Sequence, residues 1–187
     1  MKRYPKSKPV KPTFSVLFNP KYEHLLKLAL GELEALVGSF DLRSSTFHQE
    51  HLENYYGKEM GHPLYRFYLS AEGLIDASPC SEWLNPVSLK LFCMKLEERY
   101  TPLRGRRVIN IDPGFVDKDH LFLTTHKERG GRTYLSKGIF LEMEYIYFGG
   151  GFRELFWTYK DYRFPEVKTF FEEVRKRYLL KLKELQK

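Results

Sequence analysis

Apolar and polar positions change period along this chain, and each change marks an element. Residues 13–18 (TFSVLF) are a short apolar run, the pattern of a buried strand. Asn19-Pro20 then offers a helix N-cap with proline at the first helical position. The stretch that follows places Tyr22, Leu25, Leu26, Ala29, Leu33, Leu36 and Val37 on one helical face, and Gly38 supplies the stop. Strands are expected at about 41–49 and 64–70, the second with imperfect alternation of Leu64, Phe67 and Leu69. Asn85-Pro86 repeats the helix start, and Leu89, Phe92, Cys93, Leu96 and Tyr100 form the stripe of a second helix. Residues 107–111 (RVINI) predict another strand, ended by the turn sequence Asp112-Pro113-Gly114.

That order is β-α-β-β-α-β, which predicts an α+β fold with a ferredoxin-like core at 13–111, two helices covering one face of a four-stranded antiparallel sheet. Beyond it, 119–125, 132–135 and 139–148 predict added strands joined by Gly130-Gly131 and Ser136-Lys137-Gly138, and Gly149-Gly150-Gly151 ends the section. The chain closes with a helix from Pro165 to about Leu185, whose Val167, Phe170, Phe171, Val174, Tyr178 and Leu182 face the body. Residues 13–187 are therefore expected to form one α+β domain, with 112–187 as a β extension plus C-terminal helix.

Charge changes this picture in one respect. The net charge of +7 suggests nucleic acid as a partner, but residues 1–12 hold Lys2, Arg3, Lys6, Lys8 and Lys11 without an acid. The rest is nearly balanced, 26 basic against 24 acidic side chains. The positive charge is thus mainly a basic, Pro-containing arm, expected to be flexible and to serve as a phosphate grip or a solubilising tail. No apolar run approaches the ~20 residues that cross a bilayer, and no apolar h-region follows the basic start, so no membrane partner is expected. Cys80 and Cys93, without CxxC spacing, read as free thiols in a reducing, cytoplasmic compartment.

Two stretches are richer in polar and aromatic groups than a core requires. Residues 54–66 (NYYGKEMGHPLYR) read as a Gly- and Pro-containing loop, crowding Tyr55, Tyr56, Lys58, Glu59, His62 and Arg66. From Thr101 to Gly138, eight Lys or Arg (Arg104, Arg106, Arg107, Lys118, Lys127, Arg129, Arg132, Lys137) face four acids, a balance suited to an anion, nucleotide or RNA backbone. Each stretch also has a plain structural account, as a packed connector and as a solvated hairpin tip. Glu142 and Glu144, two apart on a strand, are expected on one face opposite Leu141, Met143, Tyr145 and Tyr147, as an acid–base pair, a cation site or a wet face. The six histidines form no HExxH or HxH, so no metal ligand set is assigned, and no motif names a cofactor. GxSxG, GxGxxG and GxxxxGK[ST] are all missing.

The segments YYGKEMGHPLYRFYLS (55–70), VINIDPGFVDKDHLFLTTHKERGGRTYLSKGIFLEMEYIY (108–147) and FWTYKDYR (156–163) resemble domain-of-unknown-function family 4416, a prokaryotic group without an established activity. Similar sequences are sometimes labelled GTP-binding proteins, though neither a phosphate loop nor an NKxD is present here. The resemblance draws attention to Tyr55, Tyr56, Glu59, Arg66, Asp112, Gly114, Arg132, Tyr134, Lys137, Trp157, Tyr159, Tyr162 and Arg163. In the last segment, Phe156, Trp157, Tyr159 and Tyr162 with Lys160 and Arg163 suit a stacked base if exposed, and a helix-docking seam if buried.

Three readings follow. In the first, Tyr55, Tyr56, Arg66, Arg106, Arg132, Tyr134, Lys137, Trp157 and Arg163 bind an anionic partner: RNA, a nucleotide or another phosphate-bearing ligand. In the second, an enzyme acts on a phosphorylated small molecule with Glu59, Asp112 or Glu142 as its acid–base groups. In the third, the chain is a scaffold that assembles through a sheet edge or its final helix.

Overall fold

The computed structural model describes residues 7–102 and 105–185, so Lys2, Arg3, Lys6 and Arg104 of the basic stretches lie outside the described residues. Strand β1 (Lys11–Phe18) is buried along its whole length. It runs between β4 (Tyr65–Ala71) and β5 (Ile109–Val116), pairing antiparallel with both, which is why it carries so continuous an apolar run. The Asn19 side chain accepts from the Lys21 N–H, and a short 3-10 turn leads into α1 (Glu23–Val37). Leu26, Ala29, Leu33 and Val37 are its buried face, and Gly38, at φ 83°, ends it. Helix α3 (Pro86–Arg99) starts from a capping box in which Asn85 accepts from the Val87 and Ser88 N–H groups and Ser88 Oγ accepts from Asn85 N–H.

The other strands are β2 (Phe40–Arg43), β3 (Phe47–His48), β6 (His120–Thr125), β7 (Thr133–Ser136), β8 (Ile139–Phe148) and β9 (Gly151–Glu154). Among the described residues nine strands form one antiparallel sheet, ordered β2-β4-β1-β5-β6-β8-β7, with β3 also on β4 and β9 also on β8. Strand alternation sorts the side chains into two faces. Phe14, Val16, Phe67, Leu69, Ile109 and Ile111 pack against α1 and α3. Tyr68, Val116, Leu121 and Tyr145 point the other way, to Phe170, Phe171 and Val174 of α4 (Pro165–Glu184). The molecule is α+β: a helical layer, a large antiparallel sheet, and α4 behind it.

Five expectations from the sequence are corrected. Residues 54–60 are not a loop; they complete α2 (Glu50–Met60), whose Leu52, Tyr56 and Met60 pack on Leu17 and Leu64 at helical spacing. Gly57 within it serves close packing, since a Cβ there would come within 2.4 Å of the His62 ring. Asp112-Pro113-Gly114 does not turn, and β5 runs through it. Ile111 N–H bonds to Glu97 rather than to β1, so two residues on, the N–H that Pro113 lacks points toward β6, whose ladder with β5 begins only at Gly114. Gly149 and Gly150, both at positive φ, turn the chain into β9 instead of ending the sheet. Residues 11 and 12 belong to β1 rather than to a flexible arm, and Lys11 is buried with its Nζ 2.8 Å from Asp41 Oδ2. Finally, a β-bulge falls at Glu144, because Leu121 pairs with Tyr145 while Phe122 pairs with Met143. The extra residue re-phases β8, so Tyr145 and Tyr147 join the α4 core instead of lining up with Leu141 and Met143.

Candidate functional site

The α4-side face is apolar only where α4 covers it. On β1, β4 and β5 this face continues into Ser15, Arg66, Asn110 and Asp112, which the register places side by side: Ser15 is opposite Asp112, and Leu17 is opposite both Arg66 and Asn110. Helix α2 closes one end through Leu52 and Tyr56, and the 3-10 turn at Lys160–Arg163 closes the other through Asp161 and Tyr162. Between them lies a cavity of about 110 Å³.

One wall depends on the short β5–β6 ladder, which covers only Gly114–Val116 and leaves the edge of β5 at 110–112 unpaired by a strand. Side chains of α3 occupy that edge. Glu97 Oε1 accepts from Ile111 N–H at 2.7 Å, and its Oε2 accepts from Arg107 at 2.8 Å. The Lys90 ammonium donates to Asp112 Oδ1 at 2.7 Å, and the Asn110 amide donates to Asp112 Oδ2 at 2.6 Å. Desolvation works against a charged Asp112, but Lys90, Asn110 and Arg66 outweigh it and hold the carboxyl at about 2. Burial pushes Glu97 upward, and it depresses Lys90 less than Asp112 and Glu97 raise it. Asp112 is therefore a fixed anion on the cavity wall.

The opposite wall is a second buried network. Arg66 pairs with Asp161, which also accepts from Tyr68 Oη at 3.2 Å. Arg66 is 7% exposed, and its Nε–H has no partner among the described residues. Glu142 is buried and accepts from Arg129 at 2.8 Å and from Arg132 at 3.0 and 2.8 Å. Arg132 also donates to Lys127 O and to Tyr159 Oη, so the β6–β7 loop is tied down over the cavity. The bulge residue Glu144 accepts from Tyr159 N–H, while its Oε1 is buried without a partner among the described residues. Desolvation raises its carboxyl to about 8, with the neighbouring Glu142 adding to the rise. Glu144 is protonated at neutral pH.

At the rim stand His126 and Lys127. Burial, with Lys90 and Lys127 nearby, lowers the His126 pKa, so its ring is neutral at physiological pH. Lys127 is in no ion pair among the described residues; it reaches α2, with its Nζ 3.4 Å from Tyr55 Oη and 5.4 Å from the Tyr55 ring centre.

Of the residues singled out from the sequence, Tyr56, Arg66, Arg107, Asp112, Lys127, Glu142, Tyr159 and Tyr162 line this cavity, and Arg132 stands one contact behind it. Glu59 is bound to Arg107 Nε at 2.8 Å, on the far side of that arginine. The others do not converge. Tyr55 is exposed and reaches the site through Lys127 and through its edge-on packing against Tyr56. Tyr134 is exposed edge-on to Phe140, and Lys137 sits exposed in the β7–β8 turn at φ 51°. Trp157 donates to Met143 O at 2.7 Å, and Arg163 caps carbonyls of 155, 156 and 158, so both hold the bulge-side turn. Arg106 lines a separate cavity beyond α2. Glu142, bound by two arginines, is a tether for the loop rather than one half of an acid–base pair with Glu144. Sequence reasoning missed Asn110, Asp161, and the pair Lys90 and Glu97. A signal for that pair existed: seven apart, they share one face of α3 beside the apolar stripe.

The fold and site define an α+β protein whose sheet is apolar on one face and half polar on the other, with a small charged cavity in the polar half. The model of the domain-of-unknown-function family DUF4416 matches residues 8–178, and the chain belongs to that family. No curated protein and no solved structure matches it. Among the described residues no helix is long and apolar enough to cross a membrane.

Proposed function

We propose that the chain binds a small phosphate-bearing ligand of nucleotide size in the cavity beneath the β6–β7 loop. The observation that carries this reading is the unpartnered Nε–H of Arg66, a buried donor in a cavity whose rim holds the unpaired Lys127. A buried donor left without an acceptor costs about 1–3 kcal/mol, a penalty that an anionic oxygen placed there would remove. Tyr56 and Tyr159 add ring faces suited to an aromatic base. The enclosed space, about 110 Å³, suits the phosphate end of such a ligand with the remainder at the rim, whereas an RNA strand would need an open groove. The strand order β2-β4-β1-β5, with α1 and α3 on one face, supports reading the first half as a ferredoxin-like unit that presents this ligand on its other face. Cys80 and Cys93, both free, suit a reducing cytoplasm.

Calorimetric titration with nucleoside monophosphates, triphosphates and the unphosphorylated nucleoside tests the proposal. Binding is expected to require the phosphate, to weaken with salt, and to fall about tenfold in Lys127→Ala. Wild-type protein that binds single-stranded RNA but no mononucleotide would overturn it. Equal affinity in the variant would do the same.

A second reading, an enzyme on the same ligand class, draws on His126 and Asp112, a neutral imidazole and a fixed carboxylate on one cavity. Substrate turnover lost in His126→Gln with ligand affinity retained would favour it.

A further inference from the structure

A second cavity, of about 210 Å³, lies on the other side of α2. Its lining carries Lys21, from the turn before α1, Lys58, from the last turn of α2, and Arg106, from the segment leading into β5. All three are exposed, and none is in an ion pair among the described residues. The one acid lining this cavity is Glu59, and it is already bound to Arg107 Nε at 2.8 Å. Three like charges drawn from three separate segments onto one concavity repel each other, and a multivalent anion is the partner that relieves the repulsion.

The wall is held in place by packing. Gly57 lets the His62 ring lie against α2, where a Cβ would meet it at 2.4 Å. His62 Nδ1 is 3.1 Å from Glu53 Oε2. The Glu53 carboxyl is kept below its usual range by the Leu64 N–H and by His62, so it accepts and Nδ1 donates. Asn19 ties the remaining corner, donating to Met60 O at 2.9 Å while accepting from Lys21 N–H. The three cations therefore project from a fixed frame, with Arg106 offering a planar fork and the lysines point charges, the combination that suits phosphate oxygens.

We infer that this cavity is a second phosphate site, which takes the terminal phosphomonoester of a small molecule and acts independently of the cavity over β5. The two cavities share no cation: Arg106 serves one, and its neighbour Arg107 lines the other.

Inorganic phosphate titrated into the 187-residue chain, followed by calorimetry at low salt, tests the assignment. Wild type is expected to show phosphate binding that weakens about tenfold or more in Lys58→Ala/Arg106→Ala and persists in Lys127→Ala. Both changed side chains are exposed, so the fold is retained, and far-UV circular dichroism checks that. Phosphate binding identical in wild type and the double variant would overturn the proposal. Competition by a dinucleotide whose only phosphate is a diester, as strong as that by a phosphomonoester, would overturn the monoester assignment and point to a nucleic-acid backbone.

Discussion

The two faces of the sheet are built from alternate residues of the same strands, yet they solve different problems. Toward α1 and α3, β1, β4 and β5 present Phe14, Val16, Phe67, Leu69, Ile109 and Ile111, and the helices answer with Leu26, Leu33, Leu89 and Leu96. Such a face is held by burial alone, at roughly 25 cal/mol per Å² of apolar area. One residue along, the same strands present Ser15, Arg66, Asn110 and Asp112, groups that must be paired before they can be covered. Pairing is nearly complete: Arg66 with Asp161, Asp112 with Lys90 and Asn110, Glu142 with Arg129 and Arg132. A purely structural face would have cost less as leucine and valine. What the polar face supplies instead is a fixed set of charges around a space.

The largest test of this contrast removes one partner from each face. Asp161→Ala leaves Arg66 buried without its carboxylate and is expected to cost about 3–5 kcal/mol. Leu33→Ala on the opposite face opens a cavity and is expected to cost a similar amount, about 2–5 kcal/mol. The faces should separate on rescue. Adding Arg66→Leu to the first variant is expected to recover most of the loss, because no buried charge remains, whereas no single polar change elsewhere refills the Leu33 cavity. Urea denaturation of the single and double variants reads this out. Two faces that respond alike would mean the charge network contributes stability as ordinary packing does.

A smaller effect probes the bulge on β8. Glu144 has its folded pKa raised to about 8 from the ordinary 4.5, chiefly by desolvation. The folded state therefore holds a proton that the unfolded chain releases above about pH 4.5. Stability from this group is full below that pH and is lost as pH rises toward 8, with a slope of about 1.4 kcal/mol per pH unit. Glu144→Gln removes the dependence while keeping an acceptor for Tyr159 N–H. Relative to wild type, the variant is expected to gain about 2.5 kcal/mol between pH 5 and 7, measured by denaturation at each pH. A gap that does not change with pH would place the Glu144 carboxyl in water and remove the bulge from the buried network.

How much of this was legible beforehand follows the same division. The helix-facing side was readable because burial leaves a period: the stripes of α1 and α3, with the Asn-Pro sequences before them and the Gly38 stop, lie in the chain much as they do in space, although Leu36 of the α1 stripe is exposed. The polar side depends on pairings between distant segments, such as Arg66 with Asp161 and Lys90 with Asp112, and no local pattern encodes a partner so far along the chain. Local patterns also misled where a residue served tertiary packing. Gly114 looked like a turn because glycine follows Asp-Pro, but a Cβ there would come within 2.8 Å of Leu123 and Thr13 and 2.9 Å of Phe122 O. Gly57 looked like a loop residue because Gly61 and Pro63 follow it closely, but it lies in α2 and admits the His62 ring. The bulge at Glu144 was invisible because one inserted residue changes pairing without changing composition.

The smallest expected effect concerns two lysines on the polar side. Lys11 is buried, donates to Asp41 Oδ2 at 2.8 Å, and has its pKa lowered first by desolvation. Lys127 is exposed at the cavity rim and is in no ion pair among the described residues. Lys11→Ala leaves the half-buried Asp41 without that partner and is expected to be clearly destabilising. Lys127→Ala removes only a solvated charge resting on tyrosine rings, so its stability is expected to stay within about 0.5 kcal/mol of wild type. That near-neutrality makes Lys127 the sharper probe of what the cavity is for. On the proposed function, a lysine expected to add little to folding, on a loop tied down through Arg132 and Glu142, would contribute through the ligand instead. Thermal denaturation with and without a mononucleotide measures both halves at once: equal melting temperatures without ligand, and a ligand-induced rise that is large in wild type and small in the variant. A lower melting temperature in the variant without ligand, with the same ligand-induced rise, would assign Lys127 to the fold and leave the rim without a functional cation.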